Sequence, residues 1–401
     1  MPHIVKADSA ADFLALVPLL VGHQPHESLV LVGFHGNRTH GAFRFDLPGS
    51  QSELVFKRAA TSLIGMLCKL PGVDAVVPVI YTNQTFDESG SGPVPLSGFA
   101  DRIIARARSA GFFVRGALCV AQNGWGSYLP DSIVPGAHPL AEIASSAIQA
   151  TLPAGLQQKL ITPVERAELP SASARERSQV QAAVERCHAA LTDPVPGCEP
   201  VEYGKRNAGD GRLPKRAGSD LARAVIRALL LAVAALDWPL ERPPTEDVAT
   251  LLVMLGHHGL RDTVMLQFAW GQAAGFGSVL ERLAIEAAAA RPDAQPAVAT
   301  PIIDTVLGIG NERPDAQRVE RAIQLLKAVA ARAPRGQQPA ALCMAGWLNW
   351  ALGRSSVAAL LVAMAREIDP GYSFANLLLS MLECGRLPDW AFLEPSPRPG
   401  S

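Results

Sequence analysis

The sequence predicts an α/β domain over residues 1–150 and an all-helical region from about residue 219 onward. Three observations carry this reading. Apolar runs of strand length stop near Ala121. Residues 192–219, TDPVPGCEPVEYGKRNAGDGRLPKRAGS, are dense in Pro, Gly and charge, which is linker chemistry. Beyond them only three-to-four spacing of apolar residues remains. The first domain is expected to be a mixed four-stranded sheet covered by helices. The second is expected to resemble a short helical solenoid. Residues 151–218 between them hold one polar helix, about Ser173 to Leu191, and the linker.

The elements of the first domain follow in order. Ser9, with Asp12 three residues on, starts a helix whose Phe13, Leu16, Leu19 and Leu20 share a face and whose end is marked by Gly22. Ser28–Phe34 and Ala42–Leu47 are β-rich and separated by HGNRTHG, so they form an antiparallel pair. Ser52–Leu70 places Val55, Ala59, Leu63, Met66 and Leu70 on one helical stripe that Pro71 and Gly72 stop. Asp74–Tyr81 is a buried strand, and its Pro78 argues for an edge or irregular position. Thr82–Ser97 reads as a surface loop, Leu96–Ala110 as a basic amphipathic helix, and Phe112–Ala121 as the last strand. Strands separated by helices favour right-handed parallel crossovers.

Composition excludes several classes. Thirty-six Lys plus Arg against 37 Asp plus Glu give a formal charge of -1, so no global field draws the chain to nucleic acid or an anionic membrane. Only a local basic run, Lys205, Arg206, Arg212, Lys215 and Arg216, suits nucleic acid or an acidic partner, and it equally suits a solvated linker. The longest apolar run, Ala228–Leu236, is far short of the roughly 20 residues that span a bilayer. Six cysteines without metal-ligand spacing point to a reducing, cytoplasmic setting.

The last third carries a faint repeat. Ala322, Val329 and Pro334 are matched 36 residues later by Ala358, Ala365 and Pro370, close to the tetratricopeptide period of about 34. Gly346 falls where paired helices must approach closely. The large aromatic positions of that repeat are unfilled.

Candidate chemistry lies in the first domain. His23, His26 and Glu27 sit with Ser28 in a helix-to-strand connection; two imidazoles suit a metal, or His26 and Glu27 a base and its orienter. Turn and capping chemistry accounts for the same residues. Arg44 and Asp46 alternate with Phe43 and Phe45 and share a strand face, fit for a small anion or simply for solvent. Tyr81 ends a strand, and Trp125 and Tyr128 lie in what reads as a Gly-rich loop just past the last one. Strand ends of open α/β sheets are where ligands usually bind, and flat rings there suit a base or sugar or their own loop's packing. His257 and His258 are adjacent in sequence, which does not suit a shared metal. No GxGxxG follows a strand, and GxxxxGK[ST], GxSxG and HExxH are absent, so no cofactor and no metal is assigned.

FLALVPLLVGHQPHESLVLVGF with FRFDLP, the VIY strand end at Tyr81, WGSYL from Trp125 to Leu129, Leu260-Arg261-Asp262, and AGWLNWALGRSSVAALLVAMAREIDPGYSFANLL resemble an actinobacterial domain-of-unknown-function family, number 4192. The resemblance covers most of the chain and implies no activity. It departs at one place. Where the family pattern reads Arg-Trp-Trp-Ser-Tyr followed by paired Cys and Pro, this chain has Asn123, Gly124, Trp125, Gly126, Ser127 and Tyr128 with no cysteine.

Two functional classes remain. One is an interaction or scaffold protein, its helical region binding a protein or peptide partner and its α/β domain responding to a ligand. The other is a small-molecule or nucleotide-binding enzyme with its site at the strand ends.

Overall fold

The structure, a computed structural model, describes residues 6–87, 92–130, 137–148, 161–192, 217–289 and 301–393. The basic run from Lys205 to Arg216 lies outside the described residues. The chain divides into two compact units, Met1–Glu165 with Phe392–Ser401, and Arg166–Ala391.

The first unit runs α1 (Ala10–Val21), β1 (Ser28–His35), β2 (Arg38–Asp46), α2 (Glu53–Leu67), β3 (Ala75–Tyr81), α3 (Ser97–Ser109), β4 (Phe113–Val114), β5 (Leu118–Ala121), β6 (Gly124–Ser127) and α4 (Leu140–Ala144). Ser9 caps α1 by accepting from the Asp12 amide, and Gly22 ends it at φ 79, where no side chain has to be accommodated.

The sheet order is β2-β1-β3-β5-β6, with β4 beside β3. β1 runs antiparallel to β2 and β3, β3 parallel to β4 and β5, and β6 antiparallel to β5. The sheet is mixed as expected, but it has six strands rather than four. Phe112–Ala121 breaks into β4 and β5 around residues 115–117, and the stretch read as a Gly-rich loop is the strand β6. Its GWGS sequence gives no β-branched signal, and pairing with β5 supplies what propensity does not.

Pro78 is not at an edge, because β3 is central. The carbonyls of Asp74 and Val76 accept from Phe113 and Arg115 on the β4 side. Pro78 has the same parity, so its missing N–H faces the break between β4 and β5, where no ladder bond is lost.

Side-chain parity sorts the sheet into two faces. Val30, Val32, Val77, Val79, Tyr81, Leu118 and Trp125 pack with Leu14 and Val17 of α1. Residues of opposite parity point to the other face, where Gly33 meets Leu67 of α2, and α3 packs against β3.

The short helix α5 (Pro163–Ala167) straddles the boundary in sequence, and the second unit continues with α6 (Ala174–Thr192), α7 (Ala217–Ala235), α8 (Thr245–Leu255), α9 (His258–Trp270), α10 (Gln272–Ala289), α11 (Pro301–Val306), α12 (Ala316–Arg332), α13 (Gln338–Ala351), α14 (Ser355–Ile368) and α15 (Ser373–Glu383). Among its described residues no strand occurs. The polar helix read in the connecting stretch is α6, and it packs along α8. Gly346 lets α13 approach α14: an added Cβ would lie 3.2 Å from a Val362 methyl and 3.4 Å from the Ala358 carbonyl oxygen. Among the described residues no helix is long and apolar enough to cross a membrane.

Candidate functional site

One register row crosses the whole sheet near the carboxyl ends of β3 and β5. Asp46 pairs with Ser28, Ser28 with Tyr81, Tyr81 with Val120, and Val120 with Trp125. Directly opposite residues share a face, so Asp46, Ser28, Tyr81 and Trp125 all sit on the α1 face. At about 4.8 Å per strand the row carries Ser28 about 14 Å from Trp125, with Tyr81 between them.

The connection from α1 to β1 enters at this edge. Nδ1 of His23 is 3.1 Å from the Val21 carbonyl, part-buried at the end of α1. His26 is exposed, and its carbonyl accepts from Arg44 at 3.2 Å. Glu27 has φ 41, a left-handed backbone rare outside glycine. Its carboxylate accepts from the Asn83 amide and its carbonyl from the Leu47 amide at 3.2 Å. Glu27 thus ties the start of β1 to the segments just past β2 and β3. That is a positioning role.

Arg44 and Asp46 answer one another across 2.7 Å, with Asp46 81% exposed. The predicted pair does share a face, but its charges are engaged with each other rather than presented together to an anion.

Trp125 and Tyr128 separate. Trp125 belongs to the core under α1, while Tyr128 packs on the opposite side with Phe86, Cys119 and Ala121. The Tyr128 hydroxyl donates to the Pro95 carbonyl at 2.6 Å. Burial pushes the Tyr128 phenol up, with Cys119 adding to the shift, and burial also pushes the Cys119 thiol up to about 11. Neither serves as a base or nucleophile at neutral pH. The two rings cannot form one stacking platform.

Sequence reasoning missed His138. Its imidazole stacks on Trp125, and its carbonyl passes so close to Gly124 that a Cβ there would sit 2.8 Å away. A side chain at position 124 would therefore require the bridge to shift. A bridge formed with a Pro/Gly-rich stretch leaves no periodic signal in sequence.

Three polar atoms of the row lack a hydrogen-bond partner: Ser28 Oγ, Tyr81 Oη and Trp125 Nε1. Their residues are 0%, 4% and 6% exposed. Burial alone drives the Tyr81 phenol well above its ordinary range, so the hydroxyl stays protonated and able to donate. The row offers an indole donor, a phenol and a hydroxyl in apolar surroundings, with no buried charge among the three. Among the described residues no group of three or more His, Cys, Asp or Glu is placed to hold a metal.

A family model described as a domain of unknown function, DUF4192, matches residues 11–302 and 309–389. The chain belongs to the DUF4192 family. No curated protein and no solved structure matches it. Two stretches that carry the DUF4192 resemblance meet in the helical unit. Arg261 donates through Nε and Nη2 to one Asp262 oxygen, Oδ1, donates to the Tyr372 hydroxyl at 3.1 Å and lies 4.1 Å over the Phe374 ring. This joins α9 to the start of α15 and is a structural clamp.

Proposed function

We propose that this DUF4192 protein is a ligand-responsive interaction protein. Its α/β unit binds a small neutral molecule rich in oxygen acceptors, and its helical unit engages a protein partner. The observation that carries the reading is the row Ser28, Tyr81 and Trp125. A buried polar group without a partner costs about 1–3 kcal/mol, so three in one row set a recoverable stabilisation of several kcal/mol for a molecule that pairs them. Trp125 donates only, and the two hydroxyls donate or accept, which suits a polyol, sugar or nucleoside better than a cation. The nearby strand ends suit such a site.

The helical half of the proposal rests on two apolar stripes. Ile226 and Leu230 on α7, and Phe276, Leu280 and Leu283 on α10, are each 38% exposed or more, at helical spacing. The close approach of α13 and α14 at Gly346 supports a tetratricopeptide-like pairing there. The free thiols of Cys68, Cys119, Cys187, Cys343 and Cys384 support a reducing, cytoplasmic setting.

The test is a thermal-shift and calorimetric screen of the full chain against nucleosides, sugars and polyols. A ligand at 100-fold its dissociation constant adds about 2.7 kcal/mol of stability. Tyr81→Phe and Trp125→Phe should abolish that gain. A screen without stabilisation, or one whose gain survives both substitutions, overturns the ligand half.

A further inference from the structure

The helical unit contains a cavity of about 320 Å³ walled by α9, α10, α11 and the segment 309–312. This is the lower end of small-molecule site volumes. Two tryptophans form one corner: Trp270 and Trp390 have ring centroids 5.2 Å apart and planes at 86°. Both are cavity-lining.

The indole and hydroxyl donors that line the cavity are already used, which leaves the Asn311 amide as the side-chain donor at the exposed rim. Trp270 Nε1 donates to the Glu312 carbonyl at 3.2 Å and Trp390 Nε1 to the Ala351 carbonyl at 2.9 Å. The Ser278 hydroxyl donates to the Gly275 carbonyl and that of Thr305 to the Pro301 carbonyl. With the indole N–H groups committed to backbone, what the corner offers is π surface, chiefly that of the half-buried Trp270, since Trp390 is 2% exposed. The Glu281 carboxylate accepts from the Ile302 amide at 3.2 Å through one oxygen, and Glu312 stands exposed at the rim. No Lys, Arg or His is among the described residues that line the cavity. Two carboxylates therefore set the field, and the walls are aromatic and aliphatic.

Tryptophan faces attract cations through the ring quadrupole, and the attraction grows when the cation is desolvated. A neutral apolar ligand would leave the carboxylates unused, and an anion would be repelled. We infer that this cavity binds a small organic cation, an alkylated ammonium, against the Trp270 ring in the corner that it forms with Trp390, with its charge toward Glu281. This site is independent of the sheet row and takes the opposite charge class.

The experiment titrates the full chain with choline and with its neutral isostere 3,3-dimethylbutan-1-ol, followed by tryptophan fluorescence and calorimetry. Choline should bind saturably, and the neutral isostere at least about tenfold more weakly. Glu281→Gln keeps an acceptor oxygen for the Ile302 amide, so the fold is retained while choline affinity falls by about fivefold or more. Trp270→Leu should remove binding; if that variant does not fold, the Glu281→Gln titration decides alone. Absence of saturable choline binding, equal binding of the two probes, or unchanged affinity in Glu281→Gln overturns the inference.

Discussion

The indole of Trp125 is stacked on the imidazole of His138, with centroids 4.3 Å apart and planes 19° from parallel, while the two backbones exchange hydrogen bonds of 2.9 and 2.7 Å. The backbone bridge fixes the partner segment whatever side chain follows. His138→Ala should therefore lose the ring contact and the 3.5 Å approach of its Nδ1 to Glu142, lowering unfolding free energy by about 1 kcal/mol in a urea titration. A loss above about 3 kcal/mol would mean that the bridge itself depends on the stack.

Tyr81 and Tyr128 make a comparison pair, since Tyr81 is buried without a hydrogen bond and Tyr128 is part-buried with one. Tyr81→Phe removes a hydroxyl with no protein partner and should be neutral or stabilising in the ligand-free chain. Tyr128→Phe strands the Pro95 carbonyl and should cost about 1–3 kcal/mol. Paired thermal melts check the contrast, and equal costs would contradict it.

Acid should weaken the helical unit through Glu176. Hydrogen bonds from the Ser173 backbone and side chain, with Arg332 adding to them, hold its carboxyl down at about 2. The folded value lies below the unfolded one, near 4.3. Its stabilisation is therefore fully present above about pH 4.3 and is lost as pH falls toward 2. Glu176→Gln should flatten that part of a stability–pH profile, measured by denaturant unfolding at each pH.

Two glycines of the helical unit should respond differently to alanine. At Gly346 the neighbours are a methyl at 3.2 Å and a carbonyl at 3.4 Å, so a small adjustment admits the Cβ and the cost is about 1 kcal/mol or less. At Gly308, φ is 79 and a Cβ would collide with Trp350 and lie 2.9 Å from Pro388 Cα. Gly308→Ala adds left-handed strain to a backbone clash and should cost more than about 2 kcal/mol. Calorimetric melting of both variants gives the order.

Arg261→Ala should be among the most damaging substitutions in the helical unit. Burial alone would lower the guanidinium's pKa, but Asp262 and Tyr372 outweigh it and raise the value. Removing the cation strands Asp262 and the Tyr372 hydroxyl, a loss of about 3 kcal/mol or more, and Arg261→Lys recovers only part of it because an ammonium lacks the planar fork that reaches Asp262 and Tyr372 together. Denaturant unfolding of the three proteins tests the ranking.

Periodicity was enough for the elements whose burial is one-sided. The Ser9 cap and Gly22 stop of α1, the β1–β2 hairpin, and the helices α8–α10 and α12–α15 follow from side-chain spacing and capping chemistry, because those signals are local; the short α11 does not. The candidate site was legible in part. His23, His26, Glu27, Asp46 and Tyr81 were named from strand ends and a helix-to-strand connection, and they do gather at one edge of the sheet.

Register, and every pairing beyond the β1–β2 hairpin, was decided by tertiary structure. A two-residue period says which residues share a face of one strand, but not which residue of the next strand stands opposite. Only the alignment of four strands puts Ser28, Tyr81 and Trp125 in one row, and only the pairing of β6 with β5 turns Trp125 and Tyr128 to opposite sides. The same holds for the corner of Trp270 and Trp390, 120 residues apart in sequence. Local chemistry fixes what a segment becomes; which segments share a buried surface depends on long-range packing that no single stretch encodes.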